Sequence, residues 1–165
     1  MKIAILYFTS SGRTLRMAEE IKAGIAQAGD VEVGLFPISD VTKDSEAAAW
    51  VESATAVIFG TPDYYAAESW QLKQWLDTCP VALAGKLGGA FATANFLQGG
   101  ADVAIQSVLT QILVKGMLIY SSGTALGLPF IHLGPVCLKG QEDTAAELFR
   151  VYGKRFADKA LELFA

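Results

Sequence analysis

The sequence is poor in cysteine, histidine and charge, and each shortage excludes a class of protein. It has two cysteines and one histidine in 165 residues. Cys79 and Cys137 form no Cys-x-x-Cys pair and have no histidine beside them, so we expect free thiols and no metal site. Charged residues make up only 18% of the chain and apolar residues 52%, and this combination excludes a disordered protein.

Neither sign of charge dominates. The 13 basic and 17 acidic residues give a formal net charge of −4. Proteins that bind nucleic acid normally carry a basic face or stripe, so we expect no nucleic-acid partner.

The sequence also lacks an uninterrupted apolar helix. The stretch between Lys115 and Lys139 contains no charged residue, but its glycines and prolines argue against a membrane span. We interpret it as a buried strand followed by a long loop. The apolar run from Ile3 to Phe8 is too short for a signal-peptide core, so we expect a cytoplasmic protein without a membrane partner.

Short apolar segments recur along the chain. Apolar residues make up 52% of it, and their continuous runs are typical of strands buried on both faces of a parallel sheet. These runs are Lys2–Phe8, Val31–Phe36, Ala54–Gly60, Leu87–Thr93 and Met117–Tyr120. Apolar residues at helical spacing predict helices from Gly12 to Gly29, over Ser45–Ser53, from Ile105 to Gly116 and from Thr144 to Leu163.

Alternating strands and helices predict an α/β fold, in which helices cover both faces of a five-stranded parallel sheet as a three-layer sandwich. The length and the lack of a linker predict a single domain over residues 1–165. The strand order 2-1-3-4-5 suits this arrangement and places a ligand crevice beyond the carboxyl ends of the first and third strands. The first loop, Thr9–Thr14, the second loop, Thr61–Ala66, and the third loop, Thr93–Gly100, are predicted to form this crevice.

The first loop is rich in groups that bind phosphate. Its residues are Thr9, Ser10, Ser11, Gly12, Arg13 and Thr14. Hydroxyl groups, a glycine and the positive end of the following helix dipole together favour a phosphate site. The alternative is that the serines and threonines only cap the helix.

Other phosphate-binding and catalytic patterns are missing. The first loop has no Gly-Lys-Ser/Thr and no three spaced glycines, which excludes the Walker and dinucleotide motifs. The segment Tyr7-Phe8-Thr9 offers no carboxylate to hold magnesium, which argues against a response-regulator receiver. The Gly-x-Ser-x-Gly elbow that carries a nucleophilic serine is also missing. A mononucleotide phosphate bound without a metal fits best, and we predict no catalytic acid, base or nucleophile.

The second loop carries two adjacent tyrosines. Its predicted site residues are Thr61, Pro62, Asp63, Tyr64 and Tyr65. Tyrosines beside a crevice can present a flat face to an aromatic ligand. The alternative is that one tyrosine packs beneath the loop and the other is merely exposed. Trp70 and Trp75 are expected to pack the following helix or, alternatively, to lie in an oligomer interface.

These segments resemble a known family. Thr-x-Ser-Gly-x-Thr in the first loop resembles the phosphate loop of flavodoxins. Gly60-Thr61-Pro62, the later Gln71-Leu72-Lys73-Gln74-Trp75-Leu76-Asp77, Gly99-Gly100 and Lys115-Gly116-Met117 resemble the WrbA-like NAD(P)H:quinone oxidoreductases of the same superfamily. The resemblance implies a flavodoxin-like fold and FMN as the cofactor.

The resemblance also implies how the first loop binds the phosphate. The hydroxyls of Thr9, Ser11 and Thr14 and the amides from Ser10 to Leu15 would hold it. The family often has Asn or His where this chain has Arg13, which would add a cation near the phosphate.

For the third loop, the resemblance implies contacts with the flavin ring. Thr93, Ala94, Asn95 and Phe96 would lie along the isoalloxazine, followed by Gly99. Asn95 would hydrogen-bond the pyrimidine edge, and Phe96 would either lie near a ring face or anchor the loop. The branch commonly has a histidine where this chain has Lys115. His132 is either structural or close to the flavin.

The implied function is that of an FMN-dependent oxidoreductase, which takes electrons from NAD(P)H and passes them to a quinone or a similar acceptor. One alternative is a flavodoxin-type electron carrier with a redox-protein partner, although a charge of −4 gives little steering toward a basic partner. Another is an interaction module that has lost its cofactor. Resemblance to the quinone reductases also implies a homodimer or homotetramer.

Overall fold

The computed structural model describes all residues from Met1 to Ala165. The predicted strands and helices are all present, with ends shifted by a few residues. In chain order the elements are β1 (Lys2–Tyr7), α1 (Arg13–Ile25), β2 (Glu32–Pro37), α2 (Glu46–Ser53), β3 (Ala56–Pro62), α3 (Trp70–Thr78), β4 (Leu87–Ala94), α4 (Ala101–Val114), β5 (Leu118–Ile119), β6 (Val136–Leu138) and α5 (Glu142–Phe164).

The sheet is parallel and has the order β2-β1-β3-β4-β5, which confirms the predicted α/β topology. Its outermost position next to β4 is shared by two short strands. β5 pairs with Leu87 and Gly88, whereas β6 pairs with Ala92, Thr93 and Ala94. The sequence did not predict β6 because three residues between Pro135 and Lys139 are too short to give an apolar run.

The segment between β5 and β6, residues 120–135, leaves the sheet and is fastened to α5. The Arg155 guanidinium donates hydrogen bonds to the carbonyl oxygens of Pro129 at 2.9 Å and Leu128 at 3.2 Å. A multidentate guanidinium fixes several carbonyls at once because its donors form a rigid planar fork. The 120–135 segment therefore has a defined position beside the third loop.

Helices cover both faces of the sheet, and small residues in β4 let them approach closely. One apolar core lies between the sheet and α2, α3 and α4, and the other between the sheet and α1 and α5. A Cβ atom on Gly89 would lie 2.2 Å from the Tyr152 hydroxyl oxygen, and one on Gly88 would lie 2.9 Å from Ile112 Cδ1. None of the helices combines the length and apolar character needed to cross a membrane.

Candidate functional site

The three predicted loops meet at the carboxyl edge of the sheet. They follow β1, β3 and β4, which are neighbouring parallel strands and therefore end at the same edge. The Asp63 amide donates to the Thr93 carbonyl at 2.8 Å and joins the second loop to the third. The hydroxyl oxygens of Thr14 and Thr93 lie 2.9 Å apart and join the first loop to the third.

The first loop leads into a helix without a side-chain cap. Ser45 and Ser69 cap α2 and α3, but α1 begins after Gly12 with no side-chain hydrogen bond at its start. The first amides of an α-helix have no acceptor within the helix and carry the positive end of its dipole. These amides, next to the exposed residues Ser10 and Ser11, can bind an anion.

Gly12 gives the first loop its shape. Its φ of 85° is in the left-handed region, and a Cβ atom at this position would meet nothing within 4 Å. The Gly12 amide donates to Thr9 Oγ1 at 3.0 Å, so the Thr9 side chain stabilises the turn. The open space over Gly12 fits a phosphate group that approaches the backbone closely.

Thr14 has a different environment from the exposed serines. It is 1% exposed, and its hydroxyl already has a partner in Thr93. Its position therefore connects the base of the first loop to β4. Contact between Thr14 and a phosphate stays a prediction.

Arg13 extends away from the first loop toward α5 and the third loop. Its Nε donates to Glu142 Oε1 at 2.7 Å, and its Nη1 donates to Asn95 Oδ1 at 3.2 Å and to the Ala94 carbonyl at 3.4 Å. The hydrogen bond from Arg13 lowers the pKa of Glu142 from its ordinary value to about 2. The sequence did not predict Glu142 as a partner because it lies 129 positions away along the chain.

The second loop is a tight turn. Asp63 Oδ1 accepts a hydrogen bond from the Ala66 amide at 2.9 Å, and Tyr65 and Ala66 both have positive φ, 54° and 63°. Left-handed backbone at two successive non-glycine residues costs free energy and is typical of binding sites. Burial raises the pKa of the Asp63 carboxyl above its ordinary value.

Glycines allow the second and third loops to pack together. A Cβ atom on Gly99 would lie 2.6 Å from Asp63 Oδ2, and one on Gly100 would lie 2.4 Å from the Ala66 Cβ. Gly99 thus supports the crevice by admitting the second loop. Thr61 has a similar supporting position, since it is fully buried and its Oγ1 accepts a hydrogen bond from the Ser69 amide at 2.9 Å.

Aromatic and apolar side chains stand exposed around these loops. Tyr65 is fully exposed, Phe96 is 73% exposed and Leu97 is 81% exposed, while Tyr64 is half-buried. Of Trp70 and Trp75, Trp75 is buried and donates to the Val41 carbonyl, whereas Trp70 is exposed. Contact between these loop aromatics and a flavin stays a prediction.

A buried carboxylate supports the second loop and was not predicted from the sequence. Glu68 is 7% exposed and accepts hydrogen bonds from the side chains of Ser107 and Gln111 on α4. Neutral donors satisfy the buried carboxylate here without a cation. No local pattern marks Glu68 in the sequence because both partners lie on a later helix.

His132 and Lys115 lie in different places. His132 lines a cavity of about 870 Å³ between the 120–135 segment and the third loop, together with Leu97 and Phe130. Lys115 follows α4 at the opposite edge of the sheet, where the Gly116 carbonyl accepts from the Gly85 amide ahead of β4. Lys115 is therefore remote from the carboxyl edge.

The family of this chain follows from its sequence as well as from this architecture. The family profile described as NADPH-dependent FMN reductase matches residues 1–127. The chain belongs to this family. The predicted cofactor, FMN, agrees with the family's description, and the hydroxyl-rich first loop and open Gly12 fit its phosphate.

Relatives of this FMN reductase family member carry two kinds of name. This chain is 41% identical to a protein named flavodoxin from Clostridium saccharobutylicum, over 99% of this chain and 100% of that protein. It is 30% identical to a protein named NAD(P)H dehydrogenase (quinone) from Paraburkholderia phymatum, over 81% of this chain and 73% of that one.

Solved structures confirm the flavodoxin-like fold. A flavodoxin, WrbA-like protein from Agrobacterium tumefaciens has a TM-score of 0.79 and 25% identity, with 98% of both chains covered. An archaeal flavodoxin has a TM-score of 0.76 and 21% identity, with 98% of this chain and 99% of that chain covered. The relationship to the flavodoxin superfamily and its WrbA-like proteins is therefore confirmed.

Proposed function

We propose that this chain, acting as one domain, binds FMN at the three loops and passes electrons from NAD(P)H to a quinone or a similar small acceptor. The observation that carries the proposal is the uncapped start of α1 beside Gly12, which is connected to the third loop and, through it, to the second loop. A mononucleotide needs a phosphate cradle next to a place for its ring, and these loops offer both.

The phosphate end of FMN would be held by the first loop. The exposed hydroxyls of Ser10 and Ser11 and the first amides of α1 are the available donors. Thr9 keeps the loop in its turn by accepting from the Gly12 amide. No metal ion is required because amides and hydroxyls at a helix start can bind phosphate directly.

The ring end would lie at the second and third loops. Asn95 and the neighbouring backbone amides would face the pyrimidine edge, while Tyr64, Tyr65 and Phe96 border the ring position. Bound FMN would supply the hydride and electron chemistry, and the protein would orient it and tune its potential. Because Tyr65 and Phe96 extend into solvent, the loops leave room for a nicotinamide or a quinone to reach the ring.

Two measurements on purified protein test this proposal. We expect a flavin absorption spectrum, or its appearance when FMN is added, and rapid bleaching when NADH or NADPH is mixed in without oxygen. Recovery of the spectrum on adding a quinone would complete the cycle. A colourless protein that does not bind FMN would contradict the proposal.

An electron carrier is the second candidate, and the full-length similarity to the Clostridium saccharobutylicum flavodoxin favours it. The two functions differ in the electron donor. A carrier would bind FMN but would not be reduced by NADH or NADPH, and it would accept electrons only from a chemical reductant or a reduced redox protein. The mixing experiment therefore separates the two candidates.

A further inference from the structure

Arg13 occupies an unexpected position for the only cation of the proposed phosphate loop. Its guanidinium is directed toward Glu142, Asn95 and the Ala94 carbonyl. The side chains of Arg13 and Glu142 are 13% and 21% exposed, so the ion pair is partly shielded from solvent. The Arg13 charge is thus neutralised by a close carboxylate before any phosphate arrives.

We infer that Arg13 is a positioning residue that holds the third loop in place for the flavin ring, and that it is not the counter-ion of the flavin phosphate. The inference rests on the FMN site proposed above. Arg13 lies on the first loop, Asn95 on the third loop and Glu142 at the start of α5, so one planar side chain connects three segments. Glu142 fixes the guanidinium through Nε, which leaves Nη1 directed at Asn95.

The geometry of arginine explains why this role depends on more than charge. A guanidinium presents its donors in a rigid plane, so a bond at Nε orients the donors at Nη1. A lysine at position 13 would keep the charge but could not hold Glu142 and Asn95 with that fixed geometry. Charge and positioning can therefore be separated by substitution.

The chain also contains a matched control. Arg16 and Asp143 form a second ion pair between α1 and α5, one turn further along α1, with side-chain exposures of 44% and 92%. Neither Arg16 nor Asp143 makes a hydrogen bond to Asn95 or Ala94. Substitutions there change the same charges between the same helices without touching the third loop.

The test compares binding of FMN and riboflavin, which differ only in the phosphate. Apoprotein would be titrated with each flavin, using wild type, Arg13→Lys and the double variant Arg13→Gln with Glu142→Gln. Both variants leave the net charge of the pair unchanged. A positioning role predicts that both flavins bind about tenfold more weakly, with the ratio of their affinities preserved.

A counter-ion role predicts a different pattern. FMN binding would then survive in Arg13→Lys and fall selectively in the double variant, while riboflavin binding would not change. Either result would overturn the inference, as would unchanged binding of both flavins. Arg16→Lys and the double variant Arg16→Gln with Asp143→Asn should leave both affinities within about twofold, because exposed ion pairs contribute little.

A second measurement needs no flavin. Amide hydrogen exchange of residues 94–98 in the apoprotein should accelerate in both Arg13 variants and not in the Arg16 controls, because the third loop loses its support. Unchanged exchange would overturn the inference even if FMN binds. Faster exchange in a protein that binds no flavin would contradict the proposed function but would still support the role of Arg13 in holding the third loop. If the double variant does not fold, the same measurements are made on Arg13→Lys alone.

Discussion

Glu142 is a carboxyl group whose ionisation is strongly coupled to the folded state. Its carboxylate accepts a hydrogen bond from Arg13, which lowers its pKa from about 4.5 to about 2. In that pH interval the unfolded chain binds a proton at this group that the folded protein does not bind. The contribution of Glu142 to stability is therefore full above about pH 4.5 and is lost as the pH falls toward 2.

This coupling gives a pH-dependent prediction for Glu142→Gln. At pH 7 the substitution should lower the free energy of unfolding by about 1 kcal/mol, since the pair is partly shielded and the amide keeps an acceptor. The difference from wild type should shrink as the pH is lowered through 4. Urea unfolding at several pH values would measure it, with Asp143→Asn as the exposed control. A difference that stays constant down to pH 3 would contradict the assigned ion pair.

Gly12 offers a second prediction at the residue scale. Gly12→Ala should cost about 1 kcal/mol of stability, because a φ of 85° disfavours an L side chain. Its methyl group would also occupy the open space over the first loop, so FMN should bind at least tenfold more weakly while riboflavin changes less. Gly85→Ala is the matched control, since Gly85 has a φ of 80° and equally open space at the opposite edge. Equal effects of both variants on FMN binding would contradict the phosphate site.

At the scale of elements, α1 and α5 pack with their backbones in close contact. A Cβ atom on Gly24 would lie 2.0 Å from the Arg150 carbonyl oxygen, and one on Gly153 would lie 2.2 Å from the Ile21 carbonyl oxygen. Neither carbonyl can move without displacing a helix. These glycines therefore set how closely α5 approaches the helix that follows the first loop.

Gly153→Ala should destabilise the protein by about 3 kcal/mol, although alanine is the better helix former, because it forces the two helices apart. The midpoint of chemical denaturation would measure the loss. Ala23→Ser, on the exposed side of α1, should change stability by less than about 0.5 kcal/mol. Stabilisation by Gly153→Ala would indicate that helix propensity outweighs the close contact.

The elements also illustrate what a sequence can predict. Continuous apolar runs and helical spacing predict β1 to β5 and the helices because burial on a sheet or a helix face dictates those patterns. β6 was not predicted, since its pairing with β4 depends on the position of the 120–135 segment. Site loops follow from the sheet order, whereas the partners of Arg13 and Glu68 come from distant segments and need the folded chain.

At the scale of the whole molecule, the 120–135 segment and the third loop both expose apolar side chains, and Leu97 and Phe130 line the same cavity. Leu126, Leu128 and Phe130 of the 120–135 segment are 56%, 79% and 56% exposed, and Phe96 and Leu97 of the third loop are also exposed. Apolar surface of this kind is typical of interaction sites. The segment is held in place by Arg155, so the surface has a defined shape.

We predict that copies of this chain associate through the exposed Leu126, Leu128 and Phe130 of the 120–135 segment as a homodimer or homotetramer. Sedimentation should give a mass above that of the monomer, and Leu128→Lys with Phe130→Lys should shift it toward the monomer. Leu113→Lys, on an exposed leucine near the far end of α4, should leave the assembly unchanged. A monomer at every concentration would contradict this prediction.

The net charge of −4 is also a property of the whole molecule. It gives little long-range attraction toward a basic redox protein, in agreement with a small-molecule electron donor.

The most direct test of the proposed function is anaerobic mixing of the FMN-loaded protein with NADPH, and separately with NADH, while flavin absorbance is recorded. We expect rapid bleaching by at least one of them and recovery when a quinone is added. A flavin spectrum that neither nucleotide changes would contradict it and favour the electron carrier.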